Sequence, residues 1–412
     1  VCMNKNIICI DLKSFFASVE CIDRGLDPFT TPLVVADISR GEGAMTLAAT
    51  PYLRSLGVES RSRVFTLPKN IKIIFAKPRM KLYETYSKKV MNIYKSFVSE
   101  EDVYVFSVDE AFLDVTKYLD YYKMTDFELA KTIMNKVKEE TGLTTTCGIG
   151  PNMFLCKVAM DTEAKKNKSF IAKWTYKDVE TKLQEITPLN KICGIGRQYE
   201  KHLNDLKIYK LKDVFKYTRG FYIKRFGNVA GNDIWLKASG LDYNTVQELN
   251  KKQREKSMSL SQILKRDYKI EEAFTIIIEM TDMLCRKLRK SNKMTGRITL
   301  FLRYTRDLNN GFSKSISIEP TDNQNKIIEI FKRIYNENIE DYPVRKLGIA
   351  FSNLETKNTS QLSIFDDVEK EDKYTSAIDE IQEKYGPLSI LRASSLMENS
   401  TIKEREKLKN LF

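Results

Sequence analysis

The feature that most constrains this chain is a pair of acids set between two apolar runs. In YVFSVDEAFLDV (104–115), an alternating strand-like pattern reaches Asp109 and Glu110 and then continues as a second apolar run. Neighbouring residues of a strand point to opposite faces of a sheet, so a strand interior would waste at least one of the two carboxylates. The pair therefore indicates a turn. It is either a solvated hairpin tip or a turn that aims both carboxylates at one cation.

The second interpretation needs a further carboxylate from another strand, and the start of the chain supplies one. The run IICI (7–10) is continuously apolar, as in a strand that is buried on both faces, and it ends in Asp11 before an apolar helical pattern. An ionised Asp at that position is costly unless it is paired or bound to a metal, and Lys13 and Arg24 are possible local partners. Three carboxylates at the ends of two strands would form the oxygen-rich, anionic site that Mg²⁺ prefers.

At these residues the chain resembles a known family, the Y-family translesion DNA polymerases. DLKSFFASVE (11–20) resembles the first palm motif of that family, and SVDEAFLDV (107–115) resembles the second. The resemblance covers nearly the whole chain in the right order, which makes it more specific than any single motif. The further matching segments are a Pro-Arg-Met and Tyr helix (77–94), a strand–Gly–helix with an essential Lys (144–165), a thumb hairpin (192–208) and the tail of the polymerase V-like branch of low-GC Gram-positive bacteria (384–396).

Composition limits the class of protein. A chain of 412 residues is expected to form several domains, and its 68 Lys and Arg against 55 Asp and Glu give a net charge of +13, which suits a polyanionic partner. The seven Cys are scattered without a CxxC pair, so we expect buried thiols in a reducing cytoplasm rather than disulfides or a zinc site. The apolar runs are shorter than a membrane span, and no signal-peptide pattern opens the chain.

The single histidine narrows the chemistry. His202 lies in a basic helical pattern beside Lys201, so catalysis by a His general base or at a His-ligated metal is not expected. Carboxylates must then carry any catalysis.

The fold class expected from these patterns and the resemblance is a multidomain α+β protein with the right-hand architecture of a polymerase. A helical pattern follows the palm, and a β-α-β-β-α-β order near the C-terminus indicates a split βαβ module. The predicted segments are the palm (1–25 and 76–172), small fingers (26–75), a helical thumb with a helix-hairpin-helix (173–245), a basic linker (246–256), a little finger (257–355) and a tail (356–412).

Three segments indicate contacts with DNA or its replication machinery. Gly194 and Gly196 precede a helix and would present backbone N–H groups to a phosphate. The strand GRITLFLRYTRD carries Arg297, Arg303 and Arg306 between apolar residues, and these could meet phosphates or form a solvated basic face.

The third segment is QLSIFDD (361–367), which resembles the short peptide that binds the bacterial sliding clamp. Its apolar residues would be costly to leave exposed on a polar tail, so they dock either on this chain or in the groove of a partner. The residues predicted to bind the clamp are Gln361, Leu362, Ile364 and Phe365.

The resemblance implies a mechanism of phosphoryl transfer with two Mg²⁺ ions, for which Mn²⁺ could substitute. Asp11 and Asp109 would bridge the ions, Glu110 would hold the ion at the primer 3′-hydroxyl, and the backbone carbonyl of Leu12 would complete the nucleotide-side ion.

The resemblance also assigns residues to the incoming nucleotide. Arg54 and Lys157 would bind the triphosphate. The family usually has Tyr three residues before that Arg, whereas this chain has Pro51, so Thr50 is the candidate to replace the missing hydroxyl.

The paired aromatic residues Phe15 and Phe16 have separate implied roles. Phe16 is the implied steric gate beneath the sugar, and Phe15 would pack beside it and the base. Consecutive helix positions diverge by about 100°, so both rings cannot face the same core.

The predicted function is template-directed, low-fidelity DNA synthesis for lesion bypass in DNA repair and SOS mutagenesis. The expected partners are primer–template DNA, dNTPs and the sliding clamp, with no membrane, and the protein is expected to be monomeric outside the replication machinery. One alternative is another palm-type two-metal enzyme such as a nucleotide cyclase, which would not need the thumb hairpin. The other is a catalytically inactive or accessory DNA-binding protein that is recruited to the clamp.

Overall fold

The computed structural model describes residues 5–252, 257–305, 310–357 and 368–409. The chain divides into two compact units, with the boundary between residues 253 and 254. Each unit has its own hydrophobic core.

The first unit alternates strands and helices up to residue 173, which includes the segments predicted for the palm, and its described residues from 174 to 252 form helices and loops, as the helical pattern predicted. Its strands are β1 (Ile7–Leu12), β2 (Leu33–Val35), β3 (Ala48–Ala49), β4 (Ile74–Ala76), β5 (Val103–Val105), β6 (Glu110–Asp114), β7 (Thr145–Gly150) and β8 (Ile171–Lys173). Its helices are α1 (Phe15–Asp23), α2 (Pro51–Ser55), α3 (Met80–Phe97), α4 (Leu119–Tyr122), α5 (Asp126–Thr141), α6 (Met153–Ala159), α7 (Asp178–Thr181), α8 (Arg197–Asp205), α9 (Arg219–Ala238) and α10 (Val246–Lys252).

The predicted palm is built on a five-stranded sheet in the order β5-β6-β1-β7-β8, with β1 at its centre. Both faces are covered, which is why β1 is continuously apolar. Ile8 and Ile10 face a core formed with α1, α3 and α5, whereas Ile7 and Cys9 face α6 and the helices that follow it.

Helix α6 lies directly against β7. A Cβ atom on Gly148 would lie 1.9 Å from the carbonyl oxygen of Cys156, and one on Gly150 would lie 2.7 Å from the backbone nitrogen of the same residue. These two glycines therefore permit the close approach that brings the side chains of α6 to the end of β1.

The predicted fingers contain a small sheet of order β3-β2-β4 with a separate core of Val34, Ala49, Leu53 and Leu67. In the predicted thumb, the apolar residues of α8 and α9 pack together, and α9 is interrupted at Gly227, which has a φ of 83°.

The prediction of a basic linker over 246–256 is wrong for its first seven residues, which form α10. Val246 is fully buried, and Leu249 packs against the same core, so an apolar pair at helical spacing was missed between the charges. Asn250 donates hydrogen bonds to the carbonyl oxygens of Glu101 (3.0 Å) and Val103 (2.8 Å), and so attaches α10 to the edge of the palm sheet.

The second unit confirms the predicted β-α-β-β-α-β order. Its sheet has the order β11-β10-β12-β9, and α11 and α12 pack on one face. The elements are β9 (Ser257–Tyr268), α11 (Ile270–Lys290), β10 (Lys293–Tyr304), β11 (Gly311–Thr321), α12 (Gln324–Asn338), β12 (Val344–Thr356), α13 (Val368–Tyr385) and α14 (Ile402–Lys409).

The prediction of a tail from residue 356 is also wrong for residues 368–409, which fold onto the helical face of the second unit. Arg289 of α11 forms an ion pair with Asp379 of α13 at 2.6 Å, and Arg392 pairs with Asp282 at 2.7 Å. Charges that look solvated in the sequence are thus partners across a tertiary contact.

The expectations of reduced cysteines and of no membrane span can be compared with the described residues. Their cysteines are free thiols, and most of them are buried. None of their helices combines the length and the apolar composition that crossing a membrane would require.

Candidate active site

The three predicted carboxylates come together at one end of the palm sheet. Asp11 of β1 lies directly opposite Glu110, the first residue of β6, and paired residues of antiparallel strands share a face. Asp109 precedes Glu110 in the hairpin, and its carbonyl oxygen accepts a hydrogen bond from the Leu12 N–H at 2.8 Å. The turn therefore places both acids of the pair beside the end of β1.

The Glu110 carboxylate is buried, and the Asp11 carboxylate is mostly buried. The side chain of Glu110 is 8% exposed and that of Asp11 is 17% exposed. Burial raises the pKa of both carboxyls, and the neighbouring carboxylate of Asp109 adds to the effect on Asp11. Nearby ammonium groups oppose this shift without cancelling it, so the site would gain from further positive charge.

Those ammonium groups belong to two lysines. Lys157 Nζ lies 2.7 Å from Glu110 Oε2, and Lys165 Nζ lies 2.9 Å from Asp11 Oδ2. Asp161 lies between them and accepts from Lys157 at 3.1 Å and from Lys165 at 2.8 Å.

A π-helical turn, Met160–Ala164, follows α6 and explains the position of Lys165. The N–H of Lys165 donates to the carbonyl oxygen of Met160, five residues earlier, at 3.1 Å. The turn inserts one residue relative to an α-helix, and it is held by the indole N–H of Trp174, which donates to Glu163 at 2.8 Å.

The family resemblance implied a phosphate-binding role for Lys157 and did not point to Lys165. The side chain of Lys157 is 11% exposed and is committed to Glu110, whereas that of Lys165 is 38% exposed. The spacing Lys-x₃-Asp-x₃-Lys was a visible signal, since it indicates one helix face, but the π turn was not.

Lys165 belongs to a group of cations beside Asp11. Burial lowers the pKa of Lys13, and the positive charges of Lys165 and Arg54 lower it further, while Asp11 opposes the shift. Arg54 is exposed on the short helix α2, where it donates to the carbonyl oxygen of Val58 at 3.5 Å. We call Lys13, Arg54 and Lys165 the cationic rim.

Thr50 does not fit the contact that was predicted for it. Its side chain is fully buried, its hydroxyl donates to the carbonyl oxygen of Thr31 at 2.8 Å, and it accepts from the Leu53 N–H at the start of α2. This hydroxyl therefore caps a helix, and the sequence signal for that was the Thr-Pro pair at 50–51, since Pro is favoured in the first helical turn.

The paired aromatic residues differ in burial, but the expectation that they face different cores is wrong, because both pack against the palm core and contact Tyr83. Phe15 is 3% exposed and lies in the palm core, so its predicted place beside the base is not supported. Phe16 is half-buried, and its ring stacks on that of Tyr83 with 4.4 Å between centroids and an interplanar angle of 17°.

A metal would have to be held by the carboxylates and the end of β1. Among the described residues, no cluster of three His, Cys, Asp or Glu side chains has metal-binding geometry. Asp11, Asp109 and Glu110 nevertheless fit a hard divalent ion chemically, because they are oxygen donors and two of them are mostly buried with raised pKa values.

In the predicted thumb hairpin, the turn that was expected to bind a phosphate is exposed. Gly194 adopts a φ of 87°, Gly196 caps the N-terminus of α8, and both are exposed. Ile192 and Ile195 are buried on either side of Gly194 and fix the turn.

The open face of the sheet in the second unit carries two of the predicted arginines. Arg297 and Arg303 are exposed on β10, where they alternate with buried Ile298 and Leu302. On the neighbouring strands, Ser317 and Ser352 flank Arg297, and Gly311 and Lys346 flank Arg303. Arg306 and the predicted clamp-binding residues Gln361, Leu362, Ile364 and Phe365 lie outside the described residues.

Comparisons with known proteins agree with this arrangement. Residues 10–161 match the model of the impB/mucB/samB family, and residues 255–364 match the C-terminal domain of that family. The UV-damage repair protein UvrX of Bacillus subtilis (strain 168) is 36% identical over 406 residues, which cover 97% of this chain and 96% of that protein.

Two further comparisons extend over most of the chain. A DNA polymerase IV of Clostridium kluyveri is 31% identical over 418 residues and covers 97% of this chain and 100% of its own. A solved chimera of the Y-family DNA polymerases Dbh and Dpo4 has a TM-score of 0.68 and 22% identity, and the match covers 85% of this chain and 99% of the chimera. At that identity the chimera shows the fold.

Proposed function

The chain belongs to the impB/mucB/samB family of Y-family DNA polymerases, and from that premise we propose that it extends DNA primers across damaged templates with low fidelity. The observation that carries the proposal is the pairing of Asp11 with Glu110 beside Asp109, at an edge that also carries the cationic rim. Those groups suit a reaction between a primer hydroxyl and a triphosphate.

We assign the metal site to Asp11, Asp109, Glu110 and the backbone carbonyl of Leu12. Two Mg²⁺ ions, or Mn²⁺ in their place, would supply charge neutralisation at the attacking and leaving oxygens when bound. Lys157 holds the Glu110 carboxylate in position, and Lys165 does the same for Asp11 until a nucleotide draws it away.

The triphosphate is assigned to the cationic rim. Lys165 pairs with Asp11 and is partly exposed, and Arg54 is exposed near Lys13, whereas Lys157 is enclosed, so we assign the triphosphate to Lys165 in place of Lys157. Phosphoryl transfer depends on such positioning and charge neutralisation more than on covalent chemistry of the protein.

Sugar selection is assigned to Phe16. It lies on the first turn of α1, four residues from the end of β1, and its ring is half-buried rather than enclosed. A ring beneath the sugar excludes a ribonucleotide because it clashes with the 2′-hydroxyl, and this exclusion requires no stronger binding of the deoxynucleotide.

Primer–template DNA is assigned to two surfaces, one on each unit. The exposed turn at Gly194 and Gly196 would bind a backbone phosphate through N–H groups, as helix N-termini do. Arg297 and Arg303, and Arg306 by sequence, would contact phosphates from the open face of the second sheet.

Residues 361–365 are assigned to the sliding clamp on their sequence. They lie between β12 and the start of α13, whose helix is tied to α11 by the Arg289–Asp379 ion pair. We place the protein in the cytoplasm, with its DNA substrate, as a monomer that the clamp recruits.

Primer extension tests the proposal. Purified protein with Mg²⁺ and one dNTP at a time should extend a labelled primer fastest when the dNTP complements the template base, with readily measured misinsertion of the other three. With all four dNTPs it should also extend past an abasic site. Conversion of a free nucleoside triphosphate without a primer would support a cyclase instead. DNA binding without extension would support an accessory protein.

A further inference from the structure

Helix α1 carries a buried carboxylate, Glu20, that lies outside the proposed metal site. Glu20 is fully buried and lies one helical turn after Phe16. It accepts hydrogen bonds from Arg79 Nε at 3.0 Å, from Arg79 Nη2 at 2.7 Å and from the Tyr83 hydroxyl at 2.7 Å, and it also pairs with Arg24.

This carboxylate is charged and firmly held. Burial alone would raise its pKa, but the hydrogen bonds from Arg79, Arg24 and Tyr83 outweigh burial, and the pKa of Glu20 is lowered. Arg79 is fixed further by Asp23 at 2.7 Å. A carboxylate bound in this two-pronged way by a guanidinium group has little freedom to move.

Tyr83 transmits that rigidity to Phe16. Its ring is 1% exposed and stacks on Phe16, with 4.4 Å between centroids, while Phe15 meets its edge at 6.4 Å. Its hydroxyl is fixed by Glu20, so the ring cannot be displaced without breaking a hydrogen bond to a buried charge. Phe16 therefore rests on a ring that is anchored at its far end.

We propose that Glu20, Arg79 and Tyr83 are positioning residues for sugar selection, because they prevent Phe16 from receding when a ribonucleoside triphosphate enters. The inference rests on the proposed function, since it needs Phe16 to be the steric gate. A clash excludes a 2′-hydroxyl only if the ring cannot yield, so discrimination depends on what lies behind the ring as well as on the ring itself.

Tyr83→Phe is the least disruptive test, because it removes the hydroxyl and keeps the stacked ring. The measurement is kcat/KM for dATP divided by kcat/KM for ATP, opposite template T. We expect this ratio to fall roughly threefold to tenfold, which is less than the full contribution of a hydrogen bond to a charged group because the effect reaches the sugar only through Phe16, with kcat/KM for dATP changed less than about twofold. Glu20→Gln should lower the ratio in the same direction.

Tyr94→Phe is the matched control. Tyr94 lies on the same helix, α3, is fully buried, and its hydroxyl has no hydrogen-bond partner among the described residues. It should leave the ratio unchanged. Thermal unfolding of each variant shows whether folding is intact, and Tyr83→Phe keeps the Glu20–Arg79 pair in any case.

Repeating Tyr83→Phe in a Phe16→Ala background separates the possible outcomes. If Tyr83 acts through Phe16, its effect on the ratio disappears there. If Phe16→Ala alone leaves the ratio unchanged, the proposed gate fails and the inference fails with it. If Phe16→Ala shifts the ratio but Tyr83→Phe and Glu20→Gln do not, or if Tyr83→Phe has the same effect without Phe16, the inference alone is overturned.

Discussion

Asp161 accepts hydrogen bonds from two lysines that have different surroundings. Lys157 is enclosed against Glu110, and Lys165 is partly exposed beside Asp11. Both carry raised pKa values, because the carboxylates outweigh the effect of burial, so both remain charged at neutral pH. The ammonium group of Lys157 can therefore stabilise the fold, and that of Lys165 can bind the substrate.

Lys165→Ala should raise KM for dNTPs roughly tenfold or more, because a charge-assisted hydrogen bond to a phosphate contributes about 1.5–3 kcal/mol. Steady-state insertion of one dNTP opposite an undamaged base measures this, and the variant should unfold at nearly the wild-type temperature.

Lys157→Ala is the informative comparison. It leaves Glu110 buried without its partner, which should cost about 3 kcal/mol or more of folding stability and lower kcat. If Lys157→Ala raised KM selectively and Lys165→Ala did not, the two roles would be reversed.

Phe16→Ala should raise insertion of ATP opposite T strongly, while insertion of dATP falls much less. The reason is steric, since removing the ring opens the space that a 2′-hydroxyl needs. The ratio of kcat/KM values for dATP and ATP measures it. Phe15→Ala is the control, because Phe15 lies in the core and its loss should reduce stability without a selective increase for ATP.

At the residue scale, the carboxylates could be predicted because strand patterns place them. Asp11 ends an apolar strand, and the acid pair lies in the hairpin before the neighbouring strand, so pairing of the two strands brings the carboxylates together. Lys165 could not be predicted in the same way, because its position depends on one extra residue in the turn after α6, and periodicity does not reveal a π turn. The Thr50 hydroxyl caps α2, and helix capping and phosphate binding by a Thr before a helix give the same sequence pattern.

At the element scale, local patterns predicted the second unit well. The apolar residues of α11 recur at helical spacing, and the predicted bounds of about 270–290 agree with Ile270–Lys290. Helices α10 and α13 were missed for a common reason. Their polar residues find partners on other elements, as Asn250 of α10 does on Val103 and Asp379 of α13 does on Arg289, and such partners are not visible along the sequence.

The open face of the second sheet predicts a salt-dependent contribution to DNA binding. Arg297→Ala and Arg303→Ala should each weaken binding and reduce the slope of log Kd against log salt concentration by about one, as expected for one lost phosphate contact. Arg333→Ala, an exposed change on α12, is the matched control and should leave the slope unchanged. Unchanged slopes for both β10 variants would exclude this face as a DNA-binding surface.

The peptide at 361–365 gives a second prediction at this scale. Replacing Gln361, Leu362 and Phe365 with Ala should leave distributive synthesis intact but remove stimulation by a loaded clamp, because the apolar side chains would fill the groove of the partner. Primer extension with and without clamp measures the effect. A triple variant that still binds the clamp in a pull-down would contradict this assignment.

At the scale of the whole molecule, the protein combines an anionic carboxylate site with a basic overall charge. The net charge of +13 is consistent with a DNA partner. The carboxylates at the end of β1 form an acidic site within this basic protein. The order of strands and helices in the second unit was predictable because each element has its own pattern. The packing of the elements in the first unit was not, since it depends on close approaches such as that of α6 to Gly148.

The central claim is that Asp109 and Glu110 are required for catalysis, through metal ions, and are not required for DNA binding. The direct measurement is the rate of single-nucleotide insertion by Asp109→Ala and Glu110→Ala beside their Kd for primer–template DNA, with the exposed Asp120→Ala as control. We predict that insertion falls at least roughly a thousandfold, because several kcal/mol of charge stabilisation are lost, while Kd and the Asp120→Ala rate stay near wild type. Insertion near the wild-type rate by either active-site variant would contradict this claim.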